Sequence, residues 1–355
     1  MKKIVLVLAL SISFSVFSQQ VINSGSLIKL GEDEGAKLIE AYVTPINKAI
    51  VYGLSDVTYT KIKKDQKRRL LLSLKMAYVM VPESDLTFDV TKIGLKYFEP
   101  EDPNKTIAQS IFGDSLKYIT LVSKEKNLSG EPLIKFNTPG GGQSDALPLP
   151  FAGATYRLKY TNLSVNFIPY ISVPDSDLKI GMFGLSLQQD LAMFIKALQD
   201  KPLGISIQGG GAALYGGASL DVTPGGVTLP VTVSGSQAGP YDDQRVNIYY
   251  LSFNVGAYVD YTLKNRITFF AGYGLNTGKS RIQVSGRYPI YKSDPLNTTS
   301  VVAEDVVDPL DISNSFSRTK IEFGARVDFD RYYIQVNYNM ADYGGLGINL
   351  GYKMF

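Results

Sequence analysis

The chain has 355 residues, with 36 Lys and Arg against 33 Asp and Glu, 23 tyrosines, no tryptophan, no cysteine and no histidine. Without cysteine, disulfides and a lipid-anchored cysteine are excluded; without histidine, so are His-based catalysis and His metal ligation. The near balance of charge leaves no footprint for nucleic acid, and past the N-terminus no run is apolar for the ~18 residues that would mark a membrane helix.

Met1-Lys2-Lys3 and the apolar run from Ile4 to about Phe17 have the layout of a Sec-type signal peptide. Val16 and Ser18 occupy the −3 and −1 positions, so residues 1–18 are expected to be removed before Gln19, leaving a net charge of +1. Residues 19–66 form an N-terminal segment whose start, 19–32, reads as a polar leader. From Glu32 to about Leu54, Ala36, Leu38, Ile39, Tyr42 and Val43 recur at helical spacing, and Glu32, Asp33 and Glu34 favour a helix start. Pro45 is expected to break or restart that helix. The segment is too short for a domain and has two placements open: a plug in a barrel mouth, or a cap on its periplasmic end. The basic run Lys61, Lys63, Lys64, Lys67, Arg68 and Arg69 reads as a solvated lead-in to the first strand, with contact to anionic headgroups as the alternative.

Residues 67–355 read as strands. The first is about Leu70–Val81; a weaker one covers Leu86–Phe98, and Leu116–Ser123 is a short candidate. After the loop-rich stretch 124–150 come Phe151–Tyr160, Leu163–Ile171 and Leu178–Leu187. Gln188–Leu198 suits a short amphipathic helix before the Gly-rich strand Leu203–Tyr215. Val246–Leu263 turns at Lys264-Asn265 into Arg266–Arg287, read as one long strand, and 288–314 is a polar loop. The three last strands alternate most cleanly. Ile321, Phe323, Ala325 and Val327 interleave with Glu322, Gly324 and Arg326; Ile334, Val336 and Tyr338 with Gln335 and Asn337; Leu346, Ile348 and Leu350 with Gly347 and Asn349. Strands of ~9–11 residues with one apolar face fit a barrel crossing a bilayer at a tilt. A slip of one residue would turn Lys320, Glu322 and Arg326 toward lipid, each basic residue costing ~2–4 kcal/mol near the midplane, so the polar set faces the lumen. A secreted β-sandwich is the competing architecture.

Short periplasmic turns and long outer loops then order the chain. Turns at 161–162, 264–265 and 329–330 fall inside, loops 124–150, 217–245 and 288–314 outside, and the N-terminus in the periplasm. Connections 99–114 and 188–202 are also placed inside. The expected fold is all-β: a transmembrane antiparallel barrel of about 12 strands (range 10–14) with a short N-terminal helical plug or cap. Extra strands within 130–138 or 218–233 would raise the count.

Three motifs carry no chemistry. Gly113-Asp114-Ser115-Leu116 resembles an esterase opening but has no histidine base. Asn276-Thr277-Gly278-Lys279-Ser280 lacks the first glycine of a phosphate loop, which Tyr273 replaces. Glu304, Asp305, Asp308 and Asp311 match no EF-hand spacing. What remains is the lumen: Arg157, Lys159, Arg318, Lys320, Arg326 and Lys353 with Asp260, Glu322 and Asp328, plus Asn254, Gln335, Asn337 and Asn349. Such a set either tunes a channel or closes it as a salt-bridge network.

Several short motifs resemble uncharacterised outer-membrane barrel proteins of Bacteroidetes. They are Phe17-Ser18-Gln19, Ala41-Tyr42-Val43-Thr44-Pro45, Tyr52-Gly53-Leu54, Tyr78-Val79-Met80-Val81-Pro82, Pro139-Gly140-Gly141, Asn166-Phe167-Ile168-Pro169 and Gly181-Met182-Phe183-Gly184-Leu185. A more distant similarity is to long-chain fatty-acid transporter barrels, which implies an N-terminal plug, 14 strands and passage of hydrophobic molecules. Lys353, Gly351 and Asn349 stand in register with Phe355, offset from the usual apolar insertion signal. The expectation is a non-enzymatic outer-membrane pore or carrier for small solutes, hydrophobic ones among them. It has no cofactor or metal, with membrane lipid and the barrel-assembly machinery as partners. The alternative is a structural or partner-binding barrel subunit of an export or surface-attachment complex.

Overall fold

The structure is a computed structural model that describes residues 25–56, 59–62, 69–172, 177–198, 201–225, 228–229, 232–293 and 300–354. The signal peptide, the middle of the basic run (63–68) and Phe355 lie outside the described residues.

Ten strands close into an antiparallel barrel. They are β1 (Leu70–Met80), β2 (Ala146–Arg157), β3 (Thr161–Ser172), β4 (Lys179–Asp190), β5 (Leu203–Ser219), β6 (Arg245–Leu263), β7 (Ile267–Ser285), β8 (Leu310–Asp328), β9 (Tyr332–Met340) and β10 (Gly345–Lys353). Each strand pairs with its neighbours in sequence, and β10 closes on β1 from Lys353 against Leu71 to Gly345 against Val79. A line through paired residues leaves β8 at Val327, passes Ile334, Leu350, Leu74, Ala152, Phe167, Phe183, Ala213, Leu251 and Lys279, and regains β8 at Ser315. That stagger of 12 residues per circuit goes with strands tilted by ~35–45° to the barrel axis.

The alternation read from the sequence is realised on every strand. On β10, Leu346, Ile348 and Leu350 are exposed, whereas Asn349 and Lys353 are buried. Outside, Leu74, Phe167, Leu185, Phe253, Phe323 and Ile334 belong to a continuous apolar band, bordered toward the short turns by Tyr156, Tyr261 and Tyr332. Only a hydrocarbon surround accounts for so much exposed apolar wall on a closed sheet, so the fold is a transmembrane barrel. No described helix is long and apolar enough to cross a membrane.

Ten strands is the lower end of the expected range, and the reason for the shortfall is local. Leu86–Phe98 supplies only Thr87–Asp89 and the first residue of Phe98–Pro100, because Asp89 accepts the Thr91 N–H at 3.1 Å and Gly94 adopts φ 76°, which turns the chain back. Leu116–Ser123 supplies only Thr120–Ser123. Both belong to two small sheets in the 65-residue-range excursion 81–145 and never enter the wall. The segments suspected within 130–138 and 218–233 appear likewise as Lys135–Asn137 and Thr232–Gly235, outside the barrel.

Losing two adjacent strands preserves parity, so the turns fall on the expected sides. One end carries the short turns 158–160, 264–266 and 329–331 and the connection 191–202, which holds two single-turn 3₁₀ segments rather than an amphipathic helix. Lys264 and Asn265 both adopt positive φ (47° and 56°), the backbone of a two-residue hairpin whose twist matches its strands. The other end carries 81–145, 173–178, 220–244, 286–309 and 341–344. Connection 99–114, expected among the short turns, lies at this long-loop end inside the 81–145 excursion.

The helix α1 (Glu32–Gly53) starts at the long-loop end, where Glu34 accepts the Lys96 and Tyr97 N–H groups, and descends into the barrel. It runs through Pro45 without a break. Proline removes one N–H and crowds the preceding turn; here the Thr44 hydroxyl bonds the Glu40 carbonyl at 2.7 Å, and the surrounding wall (β1, β2, β6, β7 and β8) holds the helix straight. Ala49–Gly53 are buried on every face, as only a helix enclosed all round can be. Residue 25 therefore lies at the long-loop end and Leu70 at the other, so the described chain enters from the side opposite the short turns, where the N-terminus was expected.

Candidate functional site

The lumen has two layers. The upper layer, toward the long loops, is apolar: Ile39, Val43, Ile46 and Ile50 of α1 face Leu147, Ile180, Leu214, Val246 and Ile282 of the wall. An apolar cavity of about 70 Å³ remains between the helix and the β4–β7 side. The Tyr250 hydroxyl crosses from β6 to Asn47 Oδ1 at 2.8 Å.

Below Gly53 the helix ends and the chain continues through the polar layer, where the wall grips its backbone. Lys320 Nζ and Asn254 Nδ2 donate to the Ser55 carbonyl, each at 3.3 Å. Asn337 donates to the Asp56 carbonyl at 3.3 Å, Gln335 to that of Tyr59 at 3.0 Å, Asn162 to that of Thr60 at 2.8 Å and Arg157 to that of Lys61 at 3.1 Å. Gln188 Oε1 accepts the Thr60 N–H at 3.2 Å. An unpaired backbone group in such a buried place is costly, and these side chains take the place of a neighbouring strand.

Charge is matched along the same path. Asp56 Oδ1 lies 2.6 Å from Arg318 and 3.3 Å from Lys320, and Lys320 also pairs with Glu322 at 3.3 Å. Lys61 pairs with Asp260, which also accepts the Tyr59 hydroxyl at 3.1 Å. The Tyr59 ring stacks on Phe270 with centroids 4.1 Å apart and packs on Tyr258 at 5.0 Å. Gly324 makes room for that stack: a Cβ there would come within 2.2 Å of the Phe270 ring. Nearest the short turns, Asp328 binds Arg326 at 3.0 Å and Lys353 at 2.9 Å, and the Arg326 guanidinium covers the Tyr333 ring at 3.7 Å. Above the lumen, Lys48 of α1 pairs with Asp85 at 2.8 Å, and Tyr343 donates to the same carboxylate. Desolvation alone would raise the Asp85 carboxyl; hydrogen bonds from Lys48 and Tyr343 outweigh it and hold the group below the ordinary carboxylate range.

Of the residues singled out from sequence, Arg157, Asp260, Arg318, Lys320, Glu322, Arg326, Asp328, Gln335, Asn337, Asn349 and Lys353 are buried inside the barrel, and Asn254 is half-buried there. Lys159 is not in the lumen: β2 ends at Arg157, and Lys159 stands exposed in the turn with its ammonium over the Tyr160 ring at 5.1 Å. Lys61, read as solvated, is buried. The acidic loop gathers no ion site: Glu304 pairs with Lys292, Asp305 accepts Tyr241, Asp308 accepts the Gly286 N–H, and Asp311 pairs with Arg281. Among the described residues no group of three His, Cys, Asp or Glu side chains assembles. Sequence reasoning missed Asp56 and Tyr59, which follow a helix with no periodicity to mark them. Lys75, which donates to Asn166 at 2.9 Å, stood at a polar-parity position of the first strand.

The molecule is thus a transmembrane β-barrel whose lumen is occupied by the N-terminal part of its own chain. By sequence it belongs to the family described as a family of unknown function (DUF6588), matched over residues 1–354. No curated protein matches it in sequence. Among solved structures it is similar to the outer membrane protease OmpT of Escherichia coli (7% identity, 84% of this chain and 100% of that one, TM-score 0.30). It is also similar to the translocator domain of the autotransporter NalP of Neisseria meningitidis (10% identity, 90% and 98%, TM-score 0.30). A third is Neisserial surface protein A (10% identity, 80% and 97%, TM-score 0.25). At those scores the likeness carries no argument about activity.

Proposed function

We propose that the chain is a non-enzymatic outer-membrane carrier for small solutes, hydrophobic ones among them, and that α1 and the lumen segment after it, residues 25–56 and 59–61, are its gate. The observation that supports this best is the apolar cavity beside α1, whose lining contains no charged side chain. At about 70 Å³ it has room for roughly two waters, so a solute passes only when the helix shifts. The closed ion-pair network favours a second reading, a structural or partner-binding barrel, in which the segment never moves.

The chain has no cysteine, and Ser55 Oγ and Ser252 Oγ are 2.9 Å apart, so Ser55→Cys with Ser252→Cys can tie the segment to the wall. In liposomes loaded with an amphipathic fluorescent solute that crosses bare bilayers slowly, the wild type is expected to release it. The oxidised double variant is expected to hold it until a reductant is added. Equal release by locked and unlocked protein would rule out the gate, and absence of release from both favours the second reading.

A further inference from the structure

We propose that the upper part of the seam between β2 and β3 is a lateral portal, through which an unbranched alkyl chain passes between the outer half of the bilayer and the cavity beside α1. The portal rests on the carrier reading of that cavity, with the short turns facing the periplasm.

Backbone pairing between β2 and β3 runs only from Arg157 against Asn162 to Ala152 against Phe167. Both strands continue past that point, each bonded on its other side. β2 follows β1 as far as Ala146 against Met80, and β3 follows β4 as far as Ser172 against Lys179. Proline is the reason the seam between them stays unpaired. Among the ten barrel strands only β2 and β3 contain it, at Pro148, Pro150 and Pro169. Successive residues of a strand bond to opposite sides, which fixes where each proline points. The Arg157 N–H donates to Arg69, toward β1, so the even-numbered residues of β2 face β3. The Tyr160 carbonyl accepts the Asp190 N–H, toward β4, so the odd-numbered residues of β3 up to Pro169 face β2. Continuing the register sets Pro150 opposite Pro169, and neither has an N–H to offer. Pro148 repeats the omission, and the Ala146 N–H, next on the same edge, donates to Ser144 Oγ at 3.3 Å. β2 thus turns toward β3 an edge with carbonyls and no free N–H, which removes the donors' share of the cost of parting in hydrocarbon. A bulge between Ile168 and Ile171 bends β3 at the same level.

The seam faces the outer half of the apolar band. Phe167, exposed in that band, marks its lower end. Its upper end is Tyr170, whose ring stacks on Tyr215 at 5.3 Å. Behind it, Phe151 of β2 and Ile168 of β3 are buried in the apolar core, and Leu147 and Ile180, on the strands either side of β3, line the cavity. The way from cavity to lipid by this route is therefore apolar throughout. Down the barrel axis the same solute meets Asp56, Arg318 and Lys320 instead. Two strands that part by one further strand interval, ~5 Å, admit an alkyl chain and not a fused-ring body.

The chain has no cysteine, so a thiol placed at Leu147 reports access to the cavity. Leu147→Cys in liposomes is treated with N-dodecylmaleimide, which dissolves in the bilayer, or with a charged methanethiosulfonate, which stays in water, and modification is followed by mass spectrometry. The maleimide is expected to modify it and the charged reagent to react far more slowly. Pro150→Val with Pro169→Val restores both donors and is expected to slow the maleimide about tenfold, and either change alone about threefold. Ala154→Cys, on the lipid side of β2 where pairing is intact, shows that the reagent reaches the wall and is expected to react alike with prolines or valines in the seam. A Leu147→Cys thiol that stays unmodified while Ala154→Cys reacts overturns the portal, as does a rate that neither the single nor the double valine variants alter. Faster reaction with the charged reagent also overturns it, by placing the entrance at the long-loop end. Solute release that ignores the Ser55–Ser252 lock overturns the carrier reading and leaves these rates as they are.

Discussion

Asp56→Ala is expected to lower the unfolding free energy by about 3–5 kcal/mol, the range for removing one partner of a buried ion pair. Asp56 is the carboxylate against which Arg318 is held at 2.6 Å, and both side chains are 3% exposed. Lys320 loses one of its two carboxylates and keeps Glu322 at 3.3 Å. The loss therefore falls chiefly on Arg318, left with the Tyr343 carbonyl and the Tyr52 ring in a place water hardly reaches. Asp56→Asn keeps the shape and removes the charge, and belongs in the same range. Asp102→Ala removes an exposed pair with Lys105 and is expected to change stability by no more than ~0.5 kcal/mol. Urea unfolding of protein refolded into bilayers measures all three; an Asp56 variant as mild as Asp102→Ala would mean that the segment contributes nothing to the fold.

Ile348→Arg is expected to cost about 2–4 kcal/mol in the same assay. Ile348 points outward in the middle of β10, between Val336 on β9 and Met76 on β1, and is 43% exposed. In water an arginine at so exposed a position would change stability by ~0.5 kcal/mol or less. The contrast separates a lipid belt from the hydrophilic outside of a soluble barrel. Moving the substitution to Met354, 46% exposed just past the end of β10, should reduce the cost to ~0–1 kcal/mol.

The wall was legible because its physics is local. Period two and the penalty for turning Lys320 or Arg326 toward lipid fix which side of each strand is which. Leu86–Phe98 misled because a stretch of apolar residues says nothing about a turn inside it, and the Asp89 and Gly94 turn is what keeps it out of the wall. The lumen was legible as a set of polar residues but not as a site. The wall side chains follow parity, whereas their partners Ser55, Asp56, Tyr59, Thr60 and Lys61 lie on an irregular stretch that no periodicity announces. Pro45 misled for a related reason: its cost to an isolated helix is real, but a helix enclosed by barrel wall has nowhere to bend.

The central claim is that a lipid-spanning barrel is closed by its own N-terminal segment. Conductance in planar bilayers tests it most directly, comparing the mature chain with a variant lacking residues 25–61, both checked for insertion. The full chain is expected to be silent or nearly so, and the shortened one to pass ions steadily through the emptied lumen. Equal conductance from the two would contradict the account.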